Sequence, residues 1–342
     1  MAGPADSYAL DGESGNVSPL MTLPGDWRRP SDRSTYTIYW RAEDGYGQIL
    51  PRPEAADIPA FYDVDGYYTH DADADEADPA PAPGFGRRLL HHLAWRLDRG
   101  TEATDPWWRA VLGPAPKSVL EIGCGSGNTL ARLKASGYRV RGVEPDPEAI
   151  RAATAKGVKV FAGTAEDIPD DVSGTRYDAV LMMHVLEHCL DPVRAVRNAL
   201  AQVKAGGTLT VEVPNNGCMG LRAFGRSWLW LDVPRHLNFF TRQSLEGLLT
   251  SCGSRLRTTE FWGFSRQFSS GWLATQDRIA GAFSQPPRNS LPFLAGLLSR
   301  MAIAPAHLKY DSVRCIVGKP AQTTDTAPST PQHDTTPESR QR

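Results

Sequence analysis

The feature that most constrains this chain is the run Val119-Leu120-Glu121-Ile122-Gly123-Cys124-Gly125-Ser126-Gly127. An apolar stretch of strand length ends in three alternating glycines, and a helical pattern from about Asn128 to Ser136 starts directly behind them. Glycine reaches positive φ without a Cβ clash, so such a loop turns sharply and lets a ligand approach the main chain. In open α/β sheets, ligands sit at the carboxyl ends of strands, beside the switch point. A dinucleotide site uses G-x-G-x-x-G, with a diphosphate on the helix N-terminus. Here the glycines fall at 123, 125 and 127 and position 128 is Asn, so that spacing fits poorly. Glu121 in the preceding strand repels a diphosphate and suits a cationic or amino-bearing ligand.

The alternation continues along the chain. Strands are predicted at 118–123, 138–144, 158–163, 177–183, 207–214, near 255–261 and at 312–319, with helices through Ala153, over 191–203 and near 242–249. Apolar strands spaced by helices indicate a parallel sheet covered on both faces. Upstream, Arg87–Leu97 sets Leu89, Leu90, Leu93 and Leu97 on one helical face. Residues 1–33, rich in Gly, Pro, Ser and Asp, read as a disordered N-terminus. Residues 34–84 hold a small aromatic segment and an acidic, Pro-rich linker, DADADEADPAPAPG at 71–84. Residues 85–320 form the main domain, with a helical insert at 263–310 before the last strand. Residues 321–342 contain no large aliphatic or aromatic residue and read as a disordered tail.

Composition excludes several functions. The net charge of −2 leaves no electrostatic footprint for nucleic acid and no polybasic handle for a membrane. The five cysteines are scattered without a CxxC pair, which argues against a disulfide framework or a cysteine zinc site. The N-terminus lacks a signal-peptide pattern. The apolar run at 291–298 is far short of the ~20 residues a membrane span needs. A cytoplasmic protein is expected.

E-I-G-C-G-S-G resembles the first motif of class I S-adenosylmethionine-dependent methyltransferases, and three further motifs follow in that family's order. The resemblance implies a Rossmann-like, seven-stranded, mostly parallel α/β sheet and S-adenosylmethionine as cofactor. Glu121, Gly123, Cys124, Gly125 and Gly127 would hold the cofactor, and Glu144, ending the second strand, would accept its ribose hydroxyls. Thr164, Ala165 and Glu166 fall where the family contacts adenine; many relatives carry Asp at the place of Thr164, whose hydroxyl accepts more weakly. Asp178 stands in the family's Y-D-A-V form. A dinucleotide dehydrogenase is the alternative enzyme, and a non-catalytic cofactor-fold binding or assembly protein the alternative class.

Two polar stretches fall at the carboxyl ends of neighbouring strands: His184-Val185-Leu186-Glu187-His188 and Asp232-Val233-Pro234-Arg235-His236-Leu237-Asn238-Phe239-Phe240. If the first is helical, positions 184, 187 and 188 share a face. The pair is similar to a broad bacterial small-molecule subgroup carrying H-V-L-E-H, V-P-N and P-R-H-L-x-x-F-T. It is more loosely similar to the ubiquinone-biosynthesis O-methyltransferases and the small-RNA 2′-O-methyltransferases, which hold a divalent metal at this place. Carried over by position, His184, Glu187, His188 and His236 are the candidate ligands, but His in place of the first Glu lowers hard-cation affinity, so a metal is not favoured. The alternative is that Glu187 and His188 brace the turn. His184 and His236 are the catalytic candidates: His184 lines the cofactor pocket, and His236 is either a general base or a structural hydrogen-bonding group. Arg235 binds an acidic acceptor or pairs with Asp232.

The expected acceptor is a small molecule: a metabolite, sugar or natural-product intermediate. O-methylation is the first expectation, with N- and C-methylation left open. Met182-Met183-His184 stands where base-amine methyltransferases carry a Pro-Pro-Tyr motif, which argues against a nucleic-acid substrate. The aromatic insert at 263–310 reads as a cover for a bulky acceptor, a homodimer contact or plain packing. A contact lying in a membrane surface would need a basic face, which the insert lacks. Tyr36–Tyr68 resembles a segment that often carries a four-cysteine zinc knuckle, but no cysteine precedes 124, so no such zinc is expected.

Overall fold

A computed structural model describes residues 8, 10, 16–62, 64 and 84–320. The acidic linker, apart from Gly84, and the tail at 321–342 lie outside the described residues.

Two sheets organise the chain. The first joins β1 (Val17–Leu23), β2 (Tyr36–Arg41) and β3 (Tyr46–Leu50) as an antiparallel meander. The second contains β4 (Ser118–Ile122), β5 (Arg139–Glu144), β6 (Val160–Ala162), β7 (Tyr177–Met183), β8 (Val203–Pro214), β10 (Arg255–Trp262) and β11 (Ser312–Gly318), and β9 (Asn238–Phe240) adds to the edge of the first. The large sheet runs β10-β11-β8-β7-β4-β5-β6. β4 to β8 are parallel, while β11 is antiparallel to both β8 and β10. This is the expected Rossmann-like, seven-stranded, mostly parallel sheet. The central strands are buried on both faces, which is why they read as continuous apolar runs.

Local chemistry sets the helix starts. Asp146 caps the helix Pro147–Ala155 by accepting from the Glu148 N–H at 2.9 Å, and Asp191 caps Pro192–Gln202 through the Arg194 N–H at 2.9 Å. Thr241 and Ser244 form a reciprocal capping box on Arg242–Ser251. At the amino ends of the central strands, Asp178 ties β7 to β4 by accepting from the N–H and hydroxyl of Ser118 at 2.8 and 2.7 Å. Burial opposes its ionisation, but the Lys204 ammonium and Ser118 outweigh it and hold the carboxyl at about 2.

Three expectations are corrected. The stretch 1–33 was expected to lack order throughout, yet β1 and the residues after it are folded, with Leu23 and Asp26 buried. The order comes from partners remote in sequence. Asp26 forms a two-pronged ion pair with Arg235 at 2.8 and 2.6 Å, and Asp232 accepts from Arg28 at 2.9 Å. The leucine stripe of Arg87–Leu97 was expected to face one way. The helix is Phe85–Leu97 and buries only Leu90 and Ala94; Leu89, Leu93 and Leu97 are exposed. Its inward face is set by the helix Leu291–Ala302, whose Leu291 fills the space beside Gly86. The run 184–188 is not an α-helix: His184 sits at φ +55°, and only Leu186–His188 closes a single 3₁₀ turn.

The Arg235 clamp generates a stability prediction. Arg235 is buried and holds Asp26, Asp232 and the Phe61 carbonyl. Asp26→Ala leaves part of a buried guanidinium without its charge partner and should lower unfolding free energy by about 3–5 kcal/mol. Glu148→Ala, which breaks an exposed pair with Arg151, should change it by less than about 1 kcal/mol. Urea denaturation of both variants checks the contrast.

Candidate active site

The glycine loop leaves β4 with Gly123, Gly125 and Gly127 all in the left-handed region, at φ +69°, +51° and +73°. Their surroundings differ. A Cβ at Gly123 would strike Val185, and one at Gly127 would lie 2.7 Å from the Ala153 methyl. A Cβ at Gly125 would meet nothing within 4 Å. The flanking glycines are therefore packing requirements, while Gly125 borders open space at the carboxyl end of the strand.

Acidic groups surround that space. Glu144, at the end of β5, accepts from the N–H of Gly125 at 2.8 Å and of Asp146 at 3.1 Å. Its pKa is raised by burial, partly offset by those two bonds. Glu121 is buried with Oε2 unpaired among the described residues. Burial, reinforced by the nearby Glu144, pushes Glu121 up to about 8. Burial and the same two carboxyls raise Cys124, so its thiol stays protonated. Two carboxyls that ionise against a positive partner disfavour a diphosphate and suit a cationic or amino-bearing ligand. Glu121, Gly125 and Glu144 thus fit the donor that the sequence resemblance implies.

The segment after β6 is arranged differently. The Thr164 hydroxyl accepts from the Asp167 N–H at 3.0 Å and closes its own turn. The Ala165 carbonyl accepts from Asn198 at 3.1 Å. Glu166 accepts from the Leu190 N–H at 2.8 Å, which turns its carboxylate toward the start of the helix Pro192–Gln202. The side chains of Thr164 and Glu166 are engaged within the protein.

On the acceptor side, His184 is clamped between two buried carboxylates: Nδ1 lies 3.2 Å from Glu187 and Nε2 lies 3.0 Å from Glu212. Burial alone would discharge the ring, but Glu187 and Glu212 outweigh it and raise His184 to about 9, so it is an imidazolium at neutral pH. Burial likewise opposes ionisation of Glu212, yet His184, Arg314 and Trp262 hold it at about 2. Arg314 donates to Glu212 through Nε at 2.6 Å and to Glu260 at 3.4 Å. Met183, Glu212, Arg314 and Glu260 are consecutive partners across β7, β8, β11 and β10, so a row of charge crosses the sheet inside the protein. Sequence reasoning missed this row. Its signal was a charge set between apolar neighbours in each of two strands, Glu212 in V-E-V and Arg314 in V-R-C.

His188 and His236 behave oppositely. His236 Nδ1 lies 2.9 Å from the Trp230 carbonyl, which can only accept, so Nδ1 carries the proton and Nε2 is the acceptor; His188 Nδ1 lies 3.1 Å from the Arg235 carbonyl and also faces the Tyr62 hydroxyl, which donates or accepts with the tautomer. Burial lowers both to about 4, keeping them neutral. The rings meet edge to face at 4.7 Å, and Tyr62 reaches His188 Nδ1 at 2.9 Å. Trp230 stacks on both His184 and His236, at 5.1 and 6.4 Å, and Trp272 of the insert packs edge-on against Trp230 at 5.7 Å. The insert therefore reaches the histidines through two tryptophans.

Of the four candidate metal ligands, Glu187, His188 and His236 have ligand atoms within 4.8 Å of one another, and Glu187 Oε2 is unpaired among the described residues. His184 stands outside that group, charged and held by Glu187 and Glu212. Two imidazoles and one carboxylate suit a transition metal better than magnesium. Arg235 does not offer its guanidinium to an acceptor, because Asp26 and Asp232 occupy it.

Comparison with known proteins agrees with this frame. A family model described as a methyltransferase domain matches residues 91–258. A ubiquinone biosynthesis O-methyltransferase of Methylobacterium sp. strain 4-46 is 38% identical over 196 residues, covering 50% of this chain and 78% of the relative. One from Methylobacterium nodulans is 35% identical over 148 residues, covering 40% of this chain and 59% of its own length. Among solved structures, the 1,6-didemethyltoxoflavin-N1-methyltransferase of Burkholderia thailandensis aligns with a TM-score of 0.42 at 16% identity, over 82% of this chain and 96% of that one. The chain belongs to the class I S-adenosylmethionine-dependent methyltransferases.

Glu121 gives a pH prediction. Its raised pKa means that the free protein holds it protonated below about 8. A donor carrying positive charge favours the carboxylate, so affinity should strengthen as pH rises through 8, by up to about tenfold per unit below it. Calorimetric titration with S-adenosylmethionine across that range, in wild type and in Glu121→Gln, should show the dependence in the first and a flat response in the second.

Proposed function

We propose that this protein is an S-adenosylmethionine-dependent methyltransferase acting on a small molecule, and that it methylates oxygen. The observation that carries the reading is the open side of Gly125, flanked by Glu121, whose Oε2 is unpaired among the described residues, and by Glu144. When bound, S-adenosylmethionine supplies a methyl group already activated on a sulfonium. The protein's remaining tasks are to position the acceptor, exclude water and hold a proton.

Gly123, Gly125 and Gly127 form the donor cradle, with Cys124 beneath it, and Glu144 fixes the loop until ribose hydroxyls compete for its oxygens. The backbone around Ala165 takes the adenine edge, since Thr164 and Glu166 are occupied. The base is His236: its protonated Nδ1 fixes the tautomer and its bare Nε2 can accept a proton from an acceptor hydroxyl. His184 already carries its proton and so acts by charge and by anchoring Trp230. The ubiquinone-biosynthesis relatives support oxygen as the acceptor atom, and no step of this reading uses a metal.

Two variants test it. Gly125→Arg fills the open side and should abolish calorimetric binding of S-adenosylhomocysteine, at a cost of about 1–2 kcal/mol in stability from the left-handed backbone. Binding that persists in this variant overturns the donor site. His236→Gln should keep donor-product affinity but lower turnover roughly a hundredfold or more, while excess chelator leaves wild-type turnover unchanged. Turnover abolished by chelation would make Glu187, His188 and His236 a metal centre.

A further inference from the structure

Leu89, Leu93 and Leu97 of the helix Phe85–Leu97 lie on its exposed side. Seven of the eight large apolar side chains exposed among the described residues lie on this helix, on its neighbour Leu291–Ala302 or at Ile303. Phe85 is 76% exposed, Trp95 64% and Ile303 89%, with Leu89, Leu93, Leu97 and Leu291 also exposed. The helices pack against each other: Leu291 abuts Gly86, and Lys309, at the end of the short helix Ala306–Lys309, donates to the Leu97 carbonyl at 2.9 Å. Exposed large apolar side chains gathered on two neighbouring helices of a folded protein point to a contact site.

The two helices carry charge of one sign, and the acids Asp98 and Glu102 line the neighbouring groove with Trp95, Arg96 and Arg99. The sequence has no acid from 84 to 97 and none from 286 to 309, while Arg87, Arg88, Arg96, Arg288 and Arg300 fall within those stretches. Arg88, Arg96 and Arg99 are exposed. The neighbouring Asp98 has both oxygens taken by the N–H groups of Gly100 and Ser265. A groove between the first helix and the insert is lined by Arg87, Arg88, His91, His92, Trp95 and Phe268, among others. The basic face that the insert lacks is supplied by a helix some two hundred residues earlier.

We propose that this face docks the protein on an anionic phospholipid surface. The apolar side chains and Trp95 enter the boundary between headgroups and acyl chains, and the arginines pair with phosphates in the groove and around the rim. A partly apolar, partly cationic helix lying in the plane of a membrane has this composition, and basic residues near an anionic leaflet add affinity in proportion to their number. No helix among the described residues is long and apolar enough to cross a membrane, so the contact is peripheral. This proposal is independent of the methyl-transfer reading.

The test is co-sedimentation of the full chain with phosphatidylcholine vesicles, with and without phosphatidylglycerol. The wild type should bind the anionic vesicles, bind neutral ones weakly, and be released by salt. Arg88→Ala/Arg96→Ala should bind the anionic vesicles about thirtyfold more weakly. Phe85→Ser/Trp95→Ser should lose binding by a comparable factor while the unfolding temperature stays that of wild type, since both side chains already face water. Equal binding to neutral vesicles, or none to either, overturns the proposal. So does a dimer in sedimentation equilibrium that Phe85→Ser/Trp95→Ser dissociates, which would make the face a contact between copies. Titratable binding of inorganic phosphate without vesicle recovery would also overturn it, by assigning the groove to a free anion.

Discussion

One buried guanidinium ties the N-terminal segment to the loop that carries His236. Arg235 is out of contact with water and grips Asp26 from the N-terminal segment and Asp232 from its own loop, while donating to the Phe61 carbonyl. A desolvated charge tolerates little freedom, because any movement of a partner exposes the cost of burying it. The next residue is His236. Its backbone N–H donates to the Asp232 carbonyl at 3.0 Å, so the ring inherits the position of the clamp. On the other side, Leu237 N–H donates to the Glu187 carbonyl at 2.7 Å and Asn238 holds the Cys189 carbonyl at 2.6 Å. The two polar stretches are thus laced together, and Arg52 of the N-terminal segment also reaches the Cys189 carbonyl, at 3.0 Å.

The three histidines differ because their surroundings do. His184 has a carboxylate on each nitrogen and keeps a proton; His188 and His236 have carbonyls and each other, and stay neutral. The pattern sorts one residue type into a fixed charge and two acceptors within a single cluster. At the donor end, burial and the neighbouring Glu144 keep Glu121 protonated below about 8 until a positive partner arrives.

The sheet, the glycine loop and the helix starts were legible in the sequence because local rules wrote them: strand-length apolar runs, alternating glycines, and Asp-Pro at 146–147 and 191–192. His184, Glu187, His188 and His236 could be gathered to one neighbourhood from strand order alone. Their protonation could not, since it depends on Glu212, Trp230 and main-chain carbonyls that no spacing announces. Order in 17–33 was illegible for a similar reason. Its composition is that of a flexible chain, while β1 is held by its ladder with β2 and Asp26 pairs with an arginine 209 residues away. The outward turn of Leu89, Leu93 and Leu97 defeated periodicity because a stripe of leucines says that a face is apolar, not what covers it.

The charged row through Glu212 and Arg314 has an architectural consequence. It fastens the terminal hairpin of β10 and β11 to the floor beneath His184 by side chains as well as by the sheet ladder. Everything between those two strands, from Gly263 to Asp311, hangs from a foundation that does not depend on what is built above it. Relatives could remodel that canopy, lengthening or shrinking it to admit new guests, without disturbing the groups below.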